Sequence, residues 1–183
     1  GAILSFIGLL ALVIKTTLTS PNIINIAAVI IFGISLILLY SASATYHLVV
    51  SSDNVIAFLR KIDHSMIFIL IAGSYTPFCL IGLKGIIGWI TFSVISTIAI
   101  CGVLFKMIWF NCPRWISTSI YIGMGWISIF IIVPIYNSIA LGGIALLVLG
   151  GILYTIGAVI YGLKPRALKF KNLGFHEIFH IFI

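Results

Sequence analysis

The chain has 183 residues, of which 62% are hydrophobic and 7% are charged. An ordinary soluble domain is about 45–50% apolar and about 25% charged, so this composition excludes a soluble globular domain, a disordered chain and a disulfide scaffold. The formal net charge of +7 would suggest a nucleic-acid partner in a soluble protein. Here the basic residues lie between long apolar runs, so we expect a helical integral membrane protein that contacts membrane lipids and no nucleic acid.

Seven apolar stretches predict an all-α fold, a multipass transmembrane bundle of seven helices that forms a single domain over residues 1–183. The uncharged stretch from 115 to 163 is too long for one span, and turn residues near Pro134 divide it into two. The first and last stretches are shorter than a bilayer span, which needs about 20 residues, so we expect both helices to be truncated in this fragment. The predicted spans are residues 1–14, 23–50, 62–83, 86–105, 115–133, 139–163 and 174–183.

The basic residues are distributed unevenly among the predicted loops. The first, third and fifth loops hold only Lys15 and Lys84. The second, fourth and sixth loops hold the other eight: Arg60, Lys61, Lys106, Arg114, Lys164, Arg166, Lys169 and Lys171. Because basic loops stay in the cytoplasm, this bias predicts a cytoplasmic N-terminus and an extracytoplasmic C-terminus.

Ionisable side chains inside membrane spans are costly and mark candidate functional sites. Three predicted spans carry them: His47, Asp63, His64, His176, Glu177 and His180. The predicted topology places all of them in the cytoplasmic leaflet, so three separate segments deliver polar groups to one depth.

The histidines have the spacing of metal ligands. His176 and His180 are four residues apart and share a helix face, and His47 can complete a set of three nitrogen ligands. Three protein ligands with a fourth position left for water are typical of a catalytic zinc site, where the pKa of the water falls to about 7. Ser43 shares a helix face with His47, and Asp63 lies at the same depth, so either could orient or deprotonate this water.

Simpler roles stay open for these residues, because a single histidine near a membrane interface is more often a packing residue. Asp63 could pair with Arg60, and Ser43 could bond to a backbone carbonyl of its own helix. His64 lies about 100° around the helix from Asp63 and is expected to point elsewhere. Residues 176–180 also read HExxH, in which the Glu of soluble zinc proteases is the general base. An intramembrane zinc protease with Asp63 as a further ligand is therefore an alternative.

The third span contains the segment Gly73-Ser74-Tyr75-Thr76-Pro77. Pro77 removes a backbone hydrogen bond and predicts a kink in this helix. The small residues before it would allow a neighbouring helix to approach closely.

Four segments of the chain resemble the hemolysin III family: Ser43-Ala-Thr-Tyr-His47, Lys61-Ile-Asp-His-Ser65, Ala72-Gly-Ser-Tyr-Thr-Pro-Phe78 and His176-Glu-Ile-Phe-His180. This family is the bacterial branch of the progestin and adipoQ receptor family, which includes the adiponectin receptors, and it belongs to a superfamily of membrane hydrolases that contains the alkaline ceramidases. The resemblance implies seven spans in the bacterial plasma membrane. It also implies zinc ligation by His47, His176 and His180, with Asp63 and Ser43 around the zinc-bound water.

The activity that the resemblance implies is metal-dependent hydrolysis of a lipid amide or ester, with the substrate entering laterally from the bilayer. Two other classes stay open. One is a membrane-lytic, pore-forming hemolysin, as the name of the family suggests. The other is a receptor or regulator in which the zinc is structural.

Overall fold

The computed structural model describes residues 1–83, 85–109, 112–136, 138–139 and 141–163. The described residues form helices and contain no strand, and six helical segments among them are long and apolar enough to cross a membrane. The predicted all-α, multipass membrane class is therefore confirmed. The chain divides into two compact units, Gly1–Phe110 and Asn111–Ile183. The predicted seventh span, residues 174–183, lies outside the described residues, and a single seven-helix domain stays a prediction.

Four helices make up the described part of the first unit: α1 (Ala2–Thr19), α2 (Ile23–Leu48), α3 (Asp53–Pro77) and α4 (Gly85–Ile108). Each helix packs against the next one in the sequence, and the short connections between them make neighbouring helices antiparallel. Asn22 caps α2, because its side-chain oxygen accepts a hydrogen bond from the Ile24 amide at 2.8 Å. The central helix α3 contacts both α2 and α4 and supplies more of the buried residues of this unit than any other helix.

Several helices extend beyond the predicted apolar spans. α1 continues past Lys15, α3 begins at Asp53 within the predicted second loop, and α4 continues through Lys106. The hydropathy pattern detects only the apolar part of a helix, whereas the backbone hydrogen bonds of the helix continue through the polar residues at its ends. Lys106 is therefore a helical residue and not part of the loop that the pattern predicts.

The predicted disturbance at Pro77 takes the form of a change in helix type. α3 ends at Pro77 and continues as a π-helical turn, Phe78–Gly82, in which the Leu83 amide donates to the Phe78 carbonyl at 2.9 Å. Proline has no amide hydrogen with which to continue the α-helical pattern, and short π-helical turns are a known way to absorb such a defect. The backbone of α4 approaches this turn closely, since Gly88 lies directly against the Cys79 carbonyl.

The second unit contains three described helices: α5 (Arg114–Trp126), α6 (Ser128–Ile135) and α7 (Leu141–Leu163). A turn at Ile127 separates α5 from α6, and the two together form one candidate span. α6 ends next to Pro134, where the turn residues predict the division between the fifth and sixth spans. α5 packs against α7, with Gly125 beside the Tyr154 ring.

Candidate metal centre

The packing of α2 against α3 determines which of their residues lie at the same level. A Cβ atom added at Gly73 would collide with the Ser35 hydroxyl, so these two residues mark a close approach of the two antiparallel helices. Ser43 is eight residues after Ser35, and Ser65 is eight residues before Gly73. Both helices rise 1.5 Å per residue. Because the helices are antiparallel, eight residues forward on α2 and eight residues backward on α3 both cover about 12 Å in the same direction. Ser43 and Ser65 are therefore neighbours in height.

Asp63 lies between the levels of Ser43 and His47. Counted from the same contact, His47 is level with Lys61, and Asp63 is two residues from Lys61 and two from Ser65. Two residues correspond to about 3 Å of helix rise. Three of the predicted site residues, Ser43, His47 and Asp63, therefore lie within about one helical turn of each other in height, at the end of the unit where α2 ends and α3 begins.

Asp63 is completely enclosed by protein, with 0% of its surface exposed. The imidazole of His64 lies beside it, with Nδ1 3.9 Å from Oδ2 of Asp63. The same nitrogen is only 2.8 Å from the backbone carbonyl oxygen of Arg60, and a carbonyl can only accept a hydrogen bond. Nδ1 of His64 therefore donates to its own helix, and this closer contact fixes the orientation of the ring.

Ser43 and His47 occupy the last turns of α2 and are less buried than Asp63. His47 is exposed, and its ring packs on that of Tyr46 with a centroid distance of 4.7 Å. Ser43 is half-buried. Thr45, between them, donates to the Ser41 carbonyl at 2.8 Å. Among the described residues no such backbone bond is seen for the Ser43 hydroxyl, which leaves it available to a group at the level of Asp63.

The packing of α3 against α4 brings a lysine to the same level. A Cβ atom at Gly102 would lie 2.5 Å from Cδ1 of Phe68, so these residues are in contact. Lys106 is four residues after Gly102, and His64 is four residues before Phe68. Lys106 is therefore within about one residue of Asp63 in height, and it is only 4% exposed. The sequence pattern does not reveal this residue as part of a site, because a lysine next to an apolar run is typical of a membrane interface.

The proposed zinc ligands are only partly covered by the structure. His176, Glu177 and His180 lie outside the described residues, and within the described ones no three His, Cys, Asp or Glu side chains are grouped to hold a metal ion. The described residues contribute one imidazole, with a carboxylate and a hydroxyl at its level. These groups fit zinc, since imidazole is a common zinc ligand and carboxylates and hydroxyls bond to its bound water. The zinc site itself stays a prediction.

Comparison with known proteins gives the family of the chain. The family described as Haemolysin-III related matches residues 1–183. The chain belongs to this family. The resemblance predicted from four short segments is thus confirmed over the whole length.

Two curated hemolysin III relatives are similar to the chain. Hemolysin-3 of Bacillus cereus is 39% identical over 186 aligned residues, which cover 100% of this chain and 80% of the relative. The Hemolysin-3 homolog of Bacillus subtilis strain 168 is 38% identical over 160 residues, which cover 87% of this chain and 71% of the relative. No solved structure matches the chain.

In this hemolysin III protein the site residues within the first unit form what we call the polar end. It comprises five polar residues that the two helix contacts place within about one helical turn of each other in height: Ser43, His47, Asp63, Ser65 and Lys106. The predicted members are Ser43, His47 and Asp63. Ser65 and Lys106 are added by the packing of the helices.

Proposed function

We propose that this hemolysin III protein is a zinc-dependent membrane hydrolase that cleaves a lipid amide or ester. The observation that carries the proposal is the fully buried Asp63 at the level of Ser43 and His47. A carboxylate inside a membrane span destabilises the protein unless it is paired or used. Its place at the level of a hydroxyl and an imidazole supports a role in proton transfer.

Each residue has a distinct role in this proposal. His47, His176 and His180 would hold the zinc ion. When bound, zinc polarises a carbonyl group and makes a water molecule acidic at neutral pH. The Asp63 carboxylate accepts the proton of the attacking water as general base and returns it to the leaving amine or alkoxide as the amide C–N or ester C–O bond breaks. The Ser43 hydroxyl donates a hydrogen bond to an oxygen of the reacting group.

The surface of the first unit supports a substrate that arrives from the bilayer. The outer sides of its helices are apolar, as the exposed Ile31, Ile34 and Leu38 of α2 illustrate. A lipid keeps its acyl chains against such a surface while its amide or ester group lies near the end of the span. A water-soluble substrate would gain nothing from this surface.

The test is a metal measurement combined with a hydrolysis assay on the purified full chain in lipid nanodiscs. We expect about one zinc ion per chain, together with release of fatty acid from a ceramide or an ester lipid. The double variant His176→Ala/His180→Ala should lose both the zinc and the release. His64→Ala is the matched control and should keep its zinc. A wild-type protein without zinc, or a double variant with undiminished zinc, would contradict the proposal.

The names of the two relatives favour a second candidate, membrane lysis, because both are called hemolysins. Release of a trapped dye from liposomes measures it directly. Dye release that persists in His176→Ala/His180→Ala would favour a lytic activity that is independent of the zinc site. Dye release that disappears together with fatty-acid release would instead make lysis a consequence of hydrolysis.

A further inference from the structure

Among the described residues, two side chains that carry a formal charge at neutral pH are buried, and their charges are opposite. Asp63 on α3 is 0% exposed and Lys106 on α4 is 4% exposed. The other described acidic residue, Asp53, is exposed. A buried charge without a counter-ion destabilises a protein strongly, whereas a pair of opposite charges with good geometry nearly balances its desolvation. Burial of both side chains in one unit therefore points to a pair.

Lys106 does not have the environment of a lysine at a membrane interface. Such lysines extend their ammonium groups into water and are exposed, as Lys15 on α1 is. Lys106 instead lies in line with the buried residues of α4, whose spacing by three, four or seven positions places them on one helix face. These residues are Gly88, Ile95, Ala99, Gly102 and Lys106.

That face of α4 is the one that contacts α3, and two separate contacts give the level of Lys106. Counted from Gly102 against Phe68, Lys106 is level with His64. Counted 18 residues from Gly88 against the Cys79 carbonyl, it is level with Lys61. The two levels lie on either side of Asp63 along α3.

The two groups are also separated laterally, around the axis of α3. Asp63 is five residues before Phe68 and therefore about 140° away around α3, so its carboxylate does not lie on the line of closest contact with α4. A lysine has a flexible four-carbon stem, which lets its ammonium group reach around the edge of a neighbouring helix. A lysine therefore suits this position better than a short polar side chain.

We propose that Lys106 is the counter-ion of Asp63, in a buried ion pair that joins α3 to α4 at the polar end. Lys106 is then a positioning residue, because it acts by holding the Asp63 carboxylate in place. The pair does not depend on zinc, so it can be tested whether or not the proposed hydrolysis occurs.

The main experiment is a double-mutant cycle on the full chain in nanodiscs, read by the midpoint of thermal unfolding. Lys106→Met keeps the length of the side chain without the charge, and Asp63→Asn keeps its shape. Each single variant leaves the other charge buried without its partner, so we expect a loss of about 10 °C from each. The double variant should lose at least about 5 °C less than the sum of the two.

A matched cycle provides the control. Asp53→Asn removes an exposed carboxylate from the same helix, and its effect should add to that of Lys106→Met without coupling. If the Asp63 and Lys106 variants are as additive as this control pair, the proposed ion pair does not exist.

Exchange of the two charges covers the case in which a single variant fails to fold. Asp63→Lys and Lys106→Asp each place two like charges together, whereas the variant with both changes restores opposite charges. We expect only the exchanged protein to elute as a single folded species. An exchanged protein that aggregates as much as both single variants would overturn the proposal.

A kinetic measurement tests the positioning role and rests on the proposed function. Lys106→Met should lower kcat for fatty-acid release with little change in KM, and Lys106→Arg should restore part of it. Equal rates in all three proteins, combined with coupling in the thermal cycle, would limit Lys106 to a structural role and overturn the positioning part of the proposal.

Discussion

Helices α1 and α3 both qualify as membrane spans, but the surroundings of their polar side chains differ. None of the spanning window of α1 is buried, against 56% of that of α3 with its π-helical turn (Asp53–Gly82). On α1, Thr17 donates its hydroxyl to the Val13 carbonyl one turn earlier at 2.8 Å. On α3, Asp63 and Ser65 are enclosed by protein.

This difference shows which polar residues of a membrane protein indicate a site. A hydroxyl that bonds within its own helix is satisfied anywhere along a span and needs no other element. A buried side chain that cannot bond within its own helix needs a partner from another helix, or it has a function that outweighs the cost. The buried hydroxyls of Ser35 and Thr76 bond within their own helices. In the first unit it is therefore the burial of the charged side chains of Asp63 and Lys106, and not the apolar content of a helix, that distinguishes the polar end.

The largest effect expected from this comparison is on catalysis. Asp63→Asn keeps the shape of the side chain but removes its ability to accept a proton, so fatty-acid release should fall by about 10²- to 10⁴-fold. Asp53→Asn changes an exposed carboxylate in the first turn of the same helix and should leave the rate unchanged. Steady-state assays of both variants, with zinc content and elution profile as checks of folding, provide the measurement. Equal rates for the two variants would remove Asp63 from the proposed mechanism.

The sequence predicts the parts of this site that depend on local patterns. Apolar runs identify the spans, and the scarcity of ionisable residues within them draws attention to Asp63 and His47 without any knowledge of packing. Ser43 follows from its four-residue spacing to His47. Such patterns are visible along one helix, so they do not require knowledge of which helices are neighbours.

The burial of Lys106 and Ser65 depends on contacts between helices, which hydropathy does not encode. A signal for Lys106 exists in retrospect, because the small residues Gly88, Ala99 and Gly102 precede it at helical spacing and mark the face of α4 that packs closely. Reading that signal requires knowing that α3 covers this face. The contact between Gly73 and Ser35, which sets the level of the site, likewise becomes apparent only when both helices are in place.

A smaller effect is expected on stability, from glycines that lie in closely packed or open positions. A methyl group at Gly88 would meet the backbone carbonyl of Cys79, which cannot move aside as a flexible side chain can. Gly88→Ala should therefore destabilise the protein by about 1–3 kcal/mol. Gly8 on α1 has nothing within 4 Å of the same position, so Gly8→Ala should be neutral or slightly stabilising.

Thermal or denaturant unfolding of the two glycine variants in the same detergent gives this comparison. The contrast between the central helices and α1 would be wrong if Gly8→Ala lowered stability as much as Gly88→Ala. The contrast would be sharpened if the stability loss of Gly102→Ala fell between those of Gly8→Ala and Gly88→Ala, because a methyl group at Gly102 meets the Phe68 ring instead of backbone.

The smallest effects are expected when two hydroxyl groups are removed, and the sign of the stability change is the informative result. Within the part of the chain that the structure describes, the buried Ser65 hydroxyl has no hydrogen-bond partner. Since an unsatisfied buried hydroxyl destabilises a protein by about 1–3 kcal/mol, Ser65→Ala should leave the unfolding midpoint unchanged or raise it. Thr17→Val on α1 removes a bond within a single helix and should shift stability by less than about 0.5 kcal/mol.

A clear loss of stability in Ser65→Ala, with Thr17→Val neutral, would contradict this expectation. It would mean that the Ser65 hydroxyl is hydrogen-bonded in the folded protein. Because Ser65 is level with Ser43 and two residues from Asp63, such a bond would add a fourth side chain of α2 and α3, after Ser43, His47 and Asp63, to the groups that act together at the polar end. The sign of one small stability change therefore separates a buried hydroxyl that is only tolerated from one that belongs to the site.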